Sequence, residues 1–266
     1  MSAGARQRAT AIVVAFGNRT ETLALVDRLV AAVPVIVCDN DGDFPQREGT
    51  TVIRPSANIG FGAGVNAAAR EAAGEYLLIA NPDTDLGASA AGALIARMQS
   101  EPALGVLGPR LVYPDGRPQI NGGRFSGVLA EASRTLRLGA HLRRTRGRLR
   151  RDVAPSALRL VNRDWISGAV MVLRADAFRA VGGFDTGYWM YFEDEDLCRR
   201  LRARGFGVAV DAGVTVTHRV GGSGSTADPY RSRAYQASRA RYHDLHSSRL
   251  LARLVARSAR HIARER

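Results

Sequence analysis

From Thr10 to Val112 short β-branched runs alternate with Ala-rich segments whose apolar positions recur at helical spacing. The apolar runs predict strands at Ala11–Phe16, Val35–Cys38, Thr51–Arg54, Tyr76–Ala80 and Val106–Leu107. The amphipathic segments predict helices over Thr20–Ala32, Gly64–Ala73 and Ala88–Ser100, the first opened by Asn18 or Thr20 as N-cap. Alternation of this kind marks β-α-β units around a parallel sheet, a layout suited to nucleotides.

A second ordered block begins at Asn162, where Trp165-Ile166-Ser167-Gly168-Ala169 leads into a strand at Val170–Leu173. A helix at Asp176–Val181 and a Gly182-Gly183 turn follow. Then come a helix from Glu193 to Arg204 ended by Gly205, and strands at Val208–Val210 and Val214–Thr217. Between the two blocks, Arg134 to Arg151 holds eight arginines and no acid, which predicts an exposed insertion. The last 36 residues hold ten arginines and two acids. There Leu250, Leu251, Leu254, Val255 and Ile262 recur at helical spacing, with Arg253, Arg257, Arg260 and Arg264 on another face. That is the pattern of a basic amphipathic helix, equally suited to an anionic membrane interface and to packing on its own domain.

Composition narrows the classes. At 266 residues with 45% apolar side chains, the chain can bury a core without disulfide or metal staples. Cys38 and Cys198 have no CxxC or Cys/His spacing, so structural zinc is not expected and a reducing compartment is. The Ala11–Phe16 run is too short for a signal-peptide core, so secretion is not expected. Leu29–Cys38 is broken by Pro34 and is half of the ~20 residues a spanning helix needs. A net charge of +13, carried wholly by arginine, reads first as codon bias. It still favours anionic partners: nucleic acid, anionic lipid or phosphorylated substrates. The Arg134–Arg151 run shows no named nucleic-acid motif and no interleaved aromatics, so no nucleic-acid partner is expected.

Three clusters could carry chemistry. Asn81-Pro82-Asp83-Thr84-Asp85 places two carboxylates at the C-terminal edge of a strand, where α/β sheets bind ligands. Such oxygens suit a divalent ion that bridges a diphosphate, and they suit equally a turn with a helix cap. Phe192-Glu193-Asp194-Glu195-Asp196 follows the aromatic residues Tyr188, Trp189 and Tyr191. It reads either as an acidic first helical turn or as a sugar pocket holding a general base. His218, before the loop Gly221-Gly222-Ser223-Gly224-Ser225, is either structural or the imidazole that completes a metal shell beneath a phosphate lid. A competing signal is Gly62-x-Gly64-x-x-Ala67 with Asp83 and Asp85 about 20 residues on, as in a dinucleotide fingerprint of an NAD-type oxidoreductase. That motif follows the third strand rather than the first, and it leaves the second acidic cluster and His218 without roles.

In order along the chain, ANIGFGAGVNAA, ANPDTD, WISGAVMVLRADAF, VGGFD, YFEDEDLCRRLRARG and the His218 loop resemble the inverting family 2 glycosyltransferases of the GT-A fold. The likeness is to their bacterial rhamnosyltransferase branch and covers residues 10 to 225. It implies an α/β, Rossmann-like, mostly parallel sheet flanked by helices, with a smaller acceptor-side subregion. The chain then divides into a flexible 1–9, a nucleotide-binding half at 10–112, the basic insertion at 134–151, an acceptor and catalytic half at 162–225, and a basic helical tail at 226–266.

By the same resemblance, Ala15, Phe16, Asp39 and Asn40 contact the base and ribose of a sugar nucleotide. Asn58, Gly60, Gly62, Asn66 and Asn81 shape that pocket, the glycines through close backbone approach. Asp83 and Asp85 match the metal-binding DxD position, with His218 as third ligand of Mn²⁺ or Mg²⁺. The family's second carboxylate is often absent, which puts the weight on Asp83. Asp194 matches the catalytic base, supported by Glu193 or Asp196, and Trp165 and Gly168 line the acceptor side. The implied reaction is one in-line displacement: an acceptor hydroxyl, deprotonated by Asp194, attacks the anomeric carbon and inverts it. The implied donor is dTDP-rhamnose ahead of UDP-hexose, UDP-galactofuranose or GDP-mannose. The expected acceptor is a glycan or polyprenyl-linked glycan, met from the cytoplasm at the inner face of the plasma membrane.

Overall fold

The β-branched runs become strands and the Ala-rich segments become helices, close to the expected boundaries. The computed structural model describes residues 8–127, 160–219 and 233–264. The expected Arg134–Arg151 insertion and Gly221–Ser225 loop lie outside them. Strands β1 (Ala9–Ala15), β2 (Val35–Asp39), β3 (Thr50–Ile53) and β4 (Tyr76–Ala80) alternate with helices α1 (Arg19–Leu29) and α2 (Phe61–Glu71). Helix α3 (Ala88–Ser100), β5 (Leu104–Val112), β6 (Leu160–Asn162), β7 (Val170–Arg174), α4 (Ala175–Ala180), α5 (Glu193–Ala203) and β8 (Gly207–Thr217) follow. Two C-terminal helices, α6 (Arg233–His246) and α7 (Arg249–Arg264), complete the described chain.

The eight strands form one sheet in the order β3-β2-β1-β4-β7-β5-β8-β6. Parallel pairing joins β3, β2, β1 and β4, and again β5 with β8. By contrast β7 runs antiparallel to both β4 and β5, and β6 antiparallel to β8. The first half, expected to take the nucleotide, is thus parallel, and the second half is mixed. Alternate side chains leave opposite faces of each strand. Ala11, Val13 and Leu78 pack with Leu25, Leu29 and Leu94 of α1 and α3, whereas Ile12, Leu77 and Ile79 pack with Val65, Phe178, Leu197 and Leu201 of α2, α4 and α5. Strands covered on both faces carry no polar alternation, which is why they read as continuous apolar runs.

Three elements depart from the sequence reading. Strand β5 extends well beyond Val106–Leu107, because Gly105 packs beneath Phe206 and Gly108 beneath Ile166, while Pro109 stands at a register shift. The two strands expected around Asp211-Ala212-Gly213 are one strand, β8, with a bulge there closed by the Gly213 N–H donating to Asp211 Oδ1 at 2.8 Å. Helix α6 does not trail from the domain. Its Tyr235 and Tyr242 pack with Tyr188 and Phe192 just before α5.

Candidate active site

The Asn81–Asp85 turn leaves β4 at the sheet edge and is stitched to the end of β8. The Asp85 N–H donates to Thr217 O (2.8 Å), the Arg219 N–H to Asp83 O (2.9 Å), and the His218 N–H to Val112 O (2.9 Å), around a bridge between Thr84 and His218. Within the turn, Thr84 donates through both N–H and Oγ1 to Asn81 O. This stitching brings Asp83 Oδ1 to 3.3 Å from His218 Nε2, with both side chains largely enclosed. The other imidazole nitrogen, Nδ1, lies 2.8 Å from Gln119 Oε1. With Nδ1–H donating to that carbonyl, Nε2 faces a carboxylate, and either a proton or a cation must stand between two electron-rich atoms. A carboxylate beside an imidazole fixed by an outer hydrogen bond is a mixed oxygen and nitrogen donor set that fits Mn²⁺ better than the oxygen-preferring Mg²⁺.

Asp85 does not join that pair. Its Oδ1 meets Arg219 at 2.7 Å and Arg28 at 3.9 Å, and Arg28 also donates to Thr84 O at 2.9 Å. Among the described residues, the acidic trio whose oxygens all lie within 4.8 Å of one another is instead Asp39, Asp41 and Asp43. Those oxygens have other work. Asp39, buried at the end of β2, accepts from the N–H groups of Asp41, Gly42 and Phe44 and pairs with Arg54 at 3.4 Å. Asp41 accepts from the Gly17 N–H, and Asp43 pairs with Arg19.

On the expected nucleotide side, Ala15 is buried and Phe16 half-exposed at the mouth of the β1 edge. The Asn40 N–H donates to Ala15 O, and Asn40 Oδ1 accepts from the Ile59 N–H. Asn58 Oδ1 accepts from the Gly60 N–H at 2.8 Å. The glycines make room for protein rather than directly for a ligand. A Cβ on Gly62 would meet Phe184, one on Gly64 would meet Val14 and Cys38, and Gly60, at φ +80°, lies against the Trp189 ring. Asn66 clamps the same loop, donating to Phe184 O (2.8 Å) and accepting from the Phe184 N–H (2.9 Å). The glycine pattern that imitates a dinucleotide fingerprint is therefore a packing pattern.

The second cluster opens α5. Tyr191 and Phe192 both take the left-handed conformation, at φ +71° and +66°, a strained choice for bulky residues that is held by the aromatic packing around them. Phe192 lies 5.3 Å from both Tyr235 and Tyr242. That strained corner turns the chain so that four carboxylates start the helix at its positive dipole end. Each then meets a different environment. Glu195 accepts from Ser126 through its backbone N–H and hydroxyl and meets the Tyr242 hydroxyl, which also accepts from Arg199 Nε at 3.0 Å. Asp196 is buried and accepts from His246 Nε2 at 2.6 Å and from Arg200 Nε at 2.7 Å. Against the desolvation, the His246 bond and the Arg200 charge hold its carboxyl below the usual range.

Asp194 keeps partial access to solvent. Its Oδ2 accepts from the Gly168 N–H at 3.1 Å and its Oδ1 from the Glu195 N–H at 2.8 Å. Desolvation nevertheless raises its proton affinity above that of an ordinary carboxyl. Glu193 is more enclosed, and one of its oxygens is buried without a partner. Burial and the neighbouring Asp194 charge push its carboxyl up as well. Of the expected acceptor-side residues, Gly168 is thus the group that holds Asp194, and Trp165 donates from its indole to Arg124 O at 3.1 Å. Sequence reading passed over Gln119, Ser126, Tyr242 and His246, since none belongs to a motif and all reach the site from distant segments.

Comparison with known proteins bears on the family and the fold. A profile described as the N-terminal domain of galactosyltransferase matches residues 149–218. The N-acetylglucosaminyl-diphospho-decaprenol L-rhamnosyltransferase of Mycobacterium tuberculosis is 32% identical over 164 residues, covering 56% of this chain and 52% of that protein. The chain therefore spans about half the length of that relative. The Escherichia coli K12 rhamnosyltransferase WbbL is 52% identical over 42 residues, 16% of each chain. Among solved structures, the mannosyltransferase PcManGT of Pyrobaculum calidifontis, in complex with GDP-Man and Mn²⁺, superposes with a TM-score of 0.57 at 15% identity, covering 97% of this chain and 74% of that one. This places the fold among GT-A glycosyltransferases. The profile of glycosyl transferase family 2 matches residues 11–167, more than half of the chain, and the protein belongs to that family.

Proposed function

We propose that this glycosyltransferase moves rhamnose from dTDP-rhamnose to a hydroxyl of a polyprenyl-linked glycan, with inversion at the anomeric carbon. The observation that carries the reading is Asp194: a carboxylate positioned by a backbone N–H, partly open to solvent, with its proton affinity raised by burial. A base of this kind is matched to a sugar hydroxyl near neutral pH. Glu193, more enclosed and facing Asp194's charge, holds its proton to higher pH, so the carboxylate that ionises first is the one an acceptor can reach. As the acceptor oxygen bonds to the anomeric carbon, its proton passes to Asp194 Oδ1 or Oδ2. The bond from that carbon to the diphosphate oxygen breaks, and its electron pair leaves with the nucleotide.

Asp83 and His218 would hold Mn²⁺ or Mg²⁺, which when bound supplies positive charge to the departing diphosphate. Gln119 fixes the imidazole, and Thr84 fixes the turn that carries Asp83. Asp39, Asn40 and Asn58 shape the nucleotide side through the loops they hold, and Ala15 and Phe16 border it. The transferred sugar follows the names of the mycobacterial and E. coli relatives and the polyprenyl-linked acceptor that of the mycobacterial one, and the dTDP carrier follows the resemblance in the sequence.

An anionic membrane surface at the inner face of the plasma membrane is the partner inferred for α7. No helix among the described residues is long and apolar enough to cross a membrane. Helix α7 instead seats Ala252, Val255 and Ala259 against the protein and exposes Leu250 and Leu254 beside Arg253, Arg257 and Arg260. Each such arginine adds about 1 kcal/mol of attraction to an anionic leaflet.

Calorimetric titration with dTDP-rhamnose, UDP-glucose and GDP-mannose, each with Mn²⁺ and then with EDTA, tests the donor assignment. Mn²⁺-dependent binding of dTDP-rhamnose is expected. Binding of another sugar nucleotide in its place would replace the donor, and metal-independent binding would remove the role given to Asp83 and His218.

A further inference from the structure

The aromatic run before the acidic cluster reads in sequence as one wall, but the structure divides it. Tyr188 and Phe192 are buried at 3% and 7% exposure, and Tyr191 stacks edge-on against Tyr235 at 5.5 Å. All three serve the contact with α6. Trp189 alone of the four remains half-exposed, at 51%.

The backbone that carries it is pinned on both sides. Asp185 forms a bidentate pair with Arg241 of α6 and accepts from the Gly187 N–H at 2.8 Å. Met190 O accepts from Ser238 Oγ at 2.8 Å. An indole left in water on a fixed backbone forgoes the burial that usually rewards so large an apolar side chain. One edge of that ring rests on Gly60, at the start of α2, where a Cβ would come within 3.3 Å of it. The next residue, Phe61, packs against Gly168, and the Gly168 N–H holds Asp194. Trp189 thus rests on the residue before Phe61, and Phe61 borders the Gly168 whose N–H holds Asp194, while about half of the tryptophan stays exposed.

Resting on the transferase reading above, we infer that Trp189 is a stacking platform for a pyranose ring beside Asp194. The C–H groups on one face of a pyranose ring are apolar and slightly positive, and the face of an indole is apolar and slightly negative. A rigidly held indole offers that surface at little entropic cost. The ring it takes is either the acceptor's terminal sugar or the donor's own sugar, and the two are separable by experiment.

The test uses tryptophan emission together with calorimetry on the full chain, comparing wild type with Trp189→Phe, Trp189→Tyr and Trp189→Ala. Probes are dTDP, dTDP-rhamnose and methyl β-N-acetylglucosaminide, all with Mn²⁺. Only Trp165 and Trp189 emit. A sugar-bearing probe should change wild-type emission, dTDP alone should not, and the change should vanish in Trp189→Phe. Trp189→Ala should weaken the responding probe by about tenfold, with dTDP binding unchanged and Trp189→Tyr restoring most of the affinity. Response to the glycoside assigns the platform to the acceptor, and response to dTDP-rhamnose alone assigns it to the donor. Sugar affinities within twofold of wild type in Trp189→Ala, or equal loss of dTDP and sugar binding, would overturn the platform while leaving the transferase reading intact. Failure of wild type to bind any nucleotide would remove that reading and the platform with it.

Discussion

Replacing Asp194 by Asn separates what the carboxylate does for the reaction from what it does to the fold. Both of its oxygens face backbone donors, Gly168 N–H at 3.1 Å and Glu195 N–H at 2.8 Å. A carboxamide has one oxygen, so its NH₂ must confront one of those donors, at a cost of about 1–3 kcal/mol. Desolvation acts the other way. Because the native proton affinity of Asp194 is raised, the folded chain binds its proton more tightly than the unfolded chain does. Wild-type stability is then fullest below the unfolded carboxyl pKa of about 4 and falls as pH climbs to the raised native value, by at most about 1.4 kcal/mol per pH unit. The Asp194→Asn variant escapes that loss. It should be less stable than wild type near pH 4 and should regain ground steadily toward neutrality. Turnover, measured as release of nucleoside diphosphate with Mn²⁺ present, should fall by about 10²–10⁴, the usual contribution of a general base. Urea midpoints of both proteins across that pH range check the first expectation. A stability difference that does not change with pH would refute the desolvation argument, and turnover within tenfold of wild type would refute the base.

Asp83→Ala should abolish Mn²⁺-dependent donor binding while leaving the urea midpoint near that of wild type; metal-independent binding that survives at full strength would point to another cation site. Tyr242→Phe leaves Arg199 and Glu195 each short of a partner and should cost about 1–3 kcal/mol of stability, read from the same denaturation curves. An unaltered midpoint would mean that water replaces the hydroxyl. Leu250→Asp with Leu254→Asp should weaken sedimentation with phosphatidylglycerol vesicles and spare turnover on a soluble acceptor. Equal vesicle binding would remove α7 from the membrane.

Much of this architecture was legible in the chain. The buried strands β1, β2 and β4 announce themselves because both of their faces are covered, and α3 runs from Ala88 to Ser100 as its spacing predicts. The motifs single out Asp194 as the expected base, and they name both Asp83 and His218, which the structure brings within 3.3 Å of one another. Interruptions were read less well. Glycine and proline in β5 and Asp-Ala-Gly in β8 look like breaks, yet a bulge and close packing absorb them within continuous strands. Asp85 resembles a ligand until Arg219 and Arg28 are seen to engage it. Helix α6 was hidden for a different reason. Its buried face is built from Tyr235, Gln236, Ser238, Arg239, Tyr242 and His243, so polarity along the chain does not mark what is inside.

The partners that brace the acidic turn arrive late. Asp196 is held by His246, 50 residues further along the chain, Arg199 by Tyr242, 43 residues on, and Asp185 by Arg241, 56 residues on. At a synthesis rate of about 5–20 residues per second, the acidic turn leaves the ribosome roughly 3–10 s before its supports do. In that interval, and in any molecule cleaved ahead of residue 241, the strands of the parallel half and the Gly168 N–H that holds Asp194 are already present, while Asp185, Asp196 and Arg199 still lack these partners.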